Sequence, residues 1–92
     1  MMSVDDTEAA MREALDSLPG WVLDELGELA VIVEDSHPEG LMGIYDPVGG
    51  LQRVVVFRDA NPTSDEVKRT VLHEIGHHFG MNEQQIDSLG LG

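Results

Sequence analysis

Thr70-Val71-Leu72-His73-Glu74-Ile75-Gly76-His77-His78-Phe79-Gly80-Met81-Asn82-Glu83 is the stretch that organises the rest of this chain. An α-helix advances about 100° per residue, so His73 and His77 fall within about 40° of each other on one face. With His73 at zero, Val67, Val71, Ile75, Phe79 and Leu72 fall at about 120°, 160°, 200°, 240° and 260°. That apolar arc lies nearly opposite the histidine pair, so the helix is expected to pack one side on a sheet and turn both imidazoles outward. Thr63 and Glu66 form a capping box at its start, and the helix is expected to run to about Gly80.

Two neutral imidazoles at this spacing suit one Zn²⁺ ion, and Glu74 is offset enough to miss the metal yet reach a water beside it. Such a layout serves metal-assisted hydrolysis of a peptide or amide. Catalytic zinc takes three protein ligands and keeps a further position open. The downstream donors are Glu83 and Asp87. On a continuous helix Glu83 would project about 120° away from His77. Gly80 removes that obstacle, because glycine accepts the left-handed conformation that ends helices and lets the chain turn back beneath the metal. Glu83 is the expected third ligand, with Asp87 as the alternative.

Other polar residues take lesser roles. His78, near 140°, sits at the edge of the apolar arc and reads as a packed or hydrogen-bonded histidine. Glu66 and Thr70, at about 20° and 60°, share the histidine face as rim residues or as groups that orient an imidazole. Hydrolysis also needs a donor to the developing oxyanion, for which Tyr45 and His37 are the upstream candidates. Trp21, Phe57 and Phe79 read as core.

Upstream, Asp5 to Leu18 reads as a helix with Ala9, Ala10, Ala14, Leu15 and Leu18 as its apolar positions, stopped by Pro19-Gly20. Trp21 to Leu26 is expected to form a short second helix. Glu28 to Asp35 is a β-branched strand, Leu41 to Tyr45 a short one, and Leu51 to Arg58 a third, hairpin-paired with its predecessor across Asp46 to Gly50. The tail from Asn82 has room for a final short helix. These elements give an α+β fold: a small mixed or antiparallel three-stranded sheet packed against the N-terminal helix and the C-terminal HExxH helix.

Ninety-two residues make one domain, 1–92, with modest burial that a bound metal or a partner subunit would reinforce. The charge of −13 argues against nucleic acid and anionic membrane surfaces as partners, and reads as a solvated, self-repelling surface. Cysteine is absent, which excludes a disulfide scaffold, a thiolate zinc site and a cysteine nucleophile. The start, Met1 to Asp6, lacks the basic-then-apolar layout of a secretory signal, and no apolar run reaches membrane-spanning length. The expected compartment is the cytoplasm.

With those residues in view, the sequence resembles the zincin metallopeptidases. His73-Glu74-x-x-His77-x-x-Gly80-x-x-Glu83 is similar to the metzincin and Asp-zincin motif, whose last position is His or Asp. TVLHEIGHHFGMNEQQID, residues 70–87, more closely resembles the small bacterial mini-zincins, single-domain zinc metallopeptidases with the motif helix near the C-terminus. The likeness extends loosely over Leu18-Pro19, VIVED, Gly43-Ile44-Tyr45 and VVVF. It implies His73, His77 and Glu83 as ligands of one zinc ion, Glu74 as general base, and a peptide or protein as substrate. Position 83 departs from the Asp-zincin pattern by one methylene, and Met81 comes too early to serve as a methionine turn. The alternative expectation is a non-catalytic or latent zincin-like module that binds a partner protein or a second copy. A weaker one is a regulatory metalloprotein acting on a single dedicated protein.

Overall fold

The computed structural model describes residues 1–46, 52–82 and 84–85. Helix α1 (Val4–Asp16) begins at Ser3, whose hydroxyl accepts the Asp6 N–H, with Asp5 and Asp6 favouring the positive helix end. Helix α2 (Gly20–Leu26) starts on Pro19. Strand β1 (Leu29–Glu34) follows, then β2 (Gly43–Asp46) and β3 (Gln52–Phe57). A single 3₁₀ turn at Arg58–Ala60 leads to helix α3 (Ser64–His78), whose cap Thr63 accepts the Glu66 N–H. Every element expected from the sequence upstream of Gly80 is present, with bounds shifted by up to two residues.

The sheet order is β1-β3-β2. Strand β3 runs parallel to β1, with Val31 opposite Val54, and antiparallel to β2, with Ile44 opposite Val55. The sheet is therefore mixed, and β2 is an edge. Val54 and Val56 are fully buried under the helices, where they meet Met11, Val67, Val71 and Ile75. The stripe that α1 buries is Thr7, Ala10, Met11 and Ala14. Ala9 is exposed, because Met11 rather than Ala9 completes the helical three-and-four spacing. Trp21 also departs from the core expectation: it stands 52% exposed and meets Phe79 edge to face at 6.0 Å. Val22 and Leu26 are the residues that anchor α2. Phe57 is buried, and Phe79 packs half-buried against the cluster. No helix among the described residues is long and apolar enough to cross a membrane.

Candidate metal centre

Burial of Val67, Val71 and Ile75 fixes the rotation of α3, worth roughly 1.5–3 kcal/mol for each side chain. That rotation leaves His73 half-buried and His77 exposed on the opposite side. Their ring centroids lie 5.8 Å apart with the planes inclined at 61°. Two imidazoles bound through one nitrogen each to a tetrahedral zinc would hold their centroids about 5 Å apart, so the pair suits a shared ion with small rotamer adjustments. Among the described residues no group of three or more His, Cys, Asp or Glu side chains is placed to hold a metal. Glu83 and Asp87 lie outside the described residues.

The other side of α3 runs along the edge strand. A Cβ built on Gly43 would lie 2.6 Å from Thr70 Cγ2, 3.0 Å from the Val55 carbonyl oxygen and 3.5 Å from Glu74 Cγ, so only glycine lets helix and strand approach this closely. The Phe57 N–H donates to the Met42 carbonyl, and hydrogen-bonded pairs alternate along an antiparallel ladder. Gly43 and Tyr45 consequently turn their peptide groups away from β3, and the Tyr45 N–H lies close enough to the Glu74 carboxylate to favour its charged form. Burial pushes the Glu74 carboxyl above its ordinary range, while His77, His73 and that N–H pull the other way without cancelling it. A carboxylate so placed takes up a proton more readily than one in water.

Of the two roles expected of Thr70, rim residue or orienting group, the hydroxyl does not fill the second: it donates to Asn61 Oδ1 at 2.6 Å. Asn61 Nδ2 in turn donates to the Met42 carbonyl at 2.9 Å and the Phe57 carbonyl at 2.8 Å. This fully buried amide ties the start of β2, the end of β3 and α3 together. Its place in the loop Asp59-Ala60-Asn61-Pro62 gave the only sequence signal, a polar residue just ahead of a helix cap. Glu66 is half-buried and does not line the cleft described below.

Gly80 adopts φ +74°, the left-handed conformation expected of it. The Gly80 N–H donates to the His77 carbonyl and the Met81 N–H to the Gly76 carbonyl, which completes a Schellman stop. Met81 packs on the core as the apolar partner of that stop. Asn82 and Gln85 then exchange reciprocal backbone-to-side-chain hydrogen bonds of 2.9 Å, a second capping box that the Asn-x-x-Gln spacing foreshadows.

A cleft of about 340 Å³ opens beside His73 and Glu74, lined also by Met42, Arg69 and Thr70. Neither candidate oxyanion donor lines it. The Tyr45 hydroxyl donates to Gln52 Oε1, its ring stacks on His78 at 4.2 Å, and burial pushes its phenol pKa up. His37 packs edge to face on Phe57 at 5.2 Å and accepts the Glu39 N–H. His78 is thus a packing ring, as its phase suggested.

Residues 49–92 match the family model described as a zincin-like metallopeptidase, a span that takes in β3, α3 and the HExxH segment. The matched segment is just under half of the chain, and it is this segment that is similar to zincin-like metallopeptidases. No curated protein matches it.

Proposed function

We propose that this chain is a zinc-dependent peptidase in which His73, His77 and Glu83 hold one ion and Glu74 is the general base. The observation that carries the proposal is two imidazoles 5.8 Å apart beside a half-buried carboxylate that faces a cleft. Bound zinc would supply Lewis-acid polarisation of a water and of the scissile carbonyl. Glu74 takes a proton from water and delivers it to the leaving amine. Its raised pKa suits both halves of that transfer. The carboxylate lies beside the Tyr45 N–H at the edge of β2, where an extended peptide can align as an added strand.

Zinc stoichiometry by mass spectrometry and digestion of a peptide library test this directly. Glu74→Gln should keep its zinc and lose cleavage by about 10²–10⁴-fold. His77→Ala and Glu83→Ala should lose the metal, and retention by Glu83→Ala with loss by Asp87→Ala would move the third ligand to Asp87. Tight zinc whose removal unfolds the domain, with no cleavage by wild type, would favour the non-catalytic module instead.

A further inference from the structure

The chain has 18 acidic residues and only five Lys and Arg residues, so a cation without an acidic partner is an exception. Four of the five have one. Arg12 pairs with Glu8 at 2.9 Å, Arg53 with Asp46 at 2.6 Å, Lys68 with Glu13 at 3.0 Å, and Arg58 with Asp35. Arg69 makes no ion pair with any described residue, although Asp65 and Glu66 lie one helical turn behind it. It is exposed, and it lines the same cleft as Met42, Thr70, His73 and Glu74. Arg69, His73 and His77 are spaced four residues apart and so share one face of α3.

We infer that Arg69 is a substrate-binding residue that selects peptides carrying a carboxylate close to the scissile bond. The inference rests on the peptidase proposal above. A guanidinium presents a rigid fork of N–H donors that matches a carboxylate bidentately. The Arg69 backbone lies about 6 Å along the helix from that of His73, roughly the span of two residues of an extended chain. The carboxylate therefore belongs to a residue within about two positions of the cleaved bond, as an Asp or Glu side chain or as a free C-terminus. On a surface this acidic the rest of the protein repels such a peptide, so Arg69 supplies the local attraction that admits it. The neighbouring Met42, 47% exposed, gives the same peptide an apolar contact.

The test uses the zinc-loaded protein and one peptide library made in two forms, with free and with amidated C-termini. Wild type is expected to cleave peptides with a nearby carboxylate about tenfold faster than their Gln or amide counterparts. Arg69→Gln should erase that preference and Arg69→Glu should invert it. Arg12→Gln changes the net charge equally, away from the cleft, and should leave the preference intact. Loss of the preference on amidation assigns the carboxylate to the C-terminus; its persistence assigns it to a side chain. Cleavage by wild type without acidic preference, or a preference unchanged in Arg69→Gln, overturns the inference and spares the peptidase proposal. If nothing is cleaved, retention of the library on immobilised Glu74→Gln decides the matter. Acidic peptides held only while Arg69 is present uphold the recognition and sink the hydrolysis; equal retention of acidic and neutral peptides sinks both.

Discussion

Helix α1 meets the core through Thr7, Ala10, Met11 and Ala14, and α3 meets it through Val67, Val71 and Ile75, yet among the described residues it is α3 that a buried side-chain hydrogen bond ties to the sheet side. The polar link between the two is one ion pair, Lys68–Glu13, whose carboxylate is 69% exposed and which is worth under about 1 kcal/mol. On the sheet side, α3 gains the Asn61 bridge through Thr70 and the close approach at Gly43, with the Glu74 carboxylate beside the Tyr45 N–H. The outer faces differ in the same sense. That of α1 carries Asp5 and the Glu8–Arg12 pair, exposed to water. That of α3 carries Arg69, His73 and His77. Side-chain volume is enough to seat α1, whereas the helix that carries the proposed site is held by directional bonds that fix its sliding and rotation against β2.

The sharpest way to break this contrast is Asn61→Ala. It strands the Met42 and Phe57 carbonyls and the Thr70 hydroxyl in a buried site, which costs about 3 kcal/mol. Urea unfolding at fixed zinc should show that loss, a large share of the stability of a 92-residue chain. A loss under about 1 kcal/mol would mean that α3, like α1, is seated by its apolar stripe alone. Next in size is Gly43→Ala. The added methyl meets Thr70 Cγ2, a branched side chain already held by Asn61, and the Val55 carbonyl, so the helix must shift outward at a cost of about 1–3 kcal/mol. Because Glu74 Cγ lies 3.5 Å away, its register with Tyr45 should suffer too, and cleavage should fall further than stability explains. Equal activity after correction for folded fraction would detach the site from β2.

Sequence periodicity carried most of the fold because the decisive residues sit on regular elements. Thr63, Val67, Val71, Ile75 and Gly80 each announce a cap, a stripe or a stop by spacing alone, and the structure places each in that role. The outward face of His73 and His77 follows from the same phase. Strand order did not follow, since a crossover that seats β3 between β1 and β2 leaves no local mark. Contacts through loops were equally silent: nothing in Asn61 names Met42, Phe57 and Thr70 as its partners, 19, four and nine residues away. Trp21 misled because size suggests burial, whereas α2 is anchored by Val22 and Leu26 and leaves the indole on the rim. Arg69 carried no sequence signal either. That it has no acidic partner among the described residues appears only when the other four cations have been paired in space.

The smallest effect belongs to the outer face of α1 and serves as the other arm of the comparison. Glu8 and Arg12 pair at 2.9 Å across one turn, with side chains 40% and 62% exposed, so water competes fully for both charges. Glu8→Ala should cost no more than about 0.5 kcal/mol, and it should fade further in high salt. It also removes one of 18 acids from a chain of net charge −13, and that relief of self-repulsion offsets part of the lost pair. Zinc content and cleavage should be unchanged. A destabilisation as large as that of Gly43→Ala would show that α1 too depends on polar fastening, and the division between a helix that packs and a helix that works would dissolve.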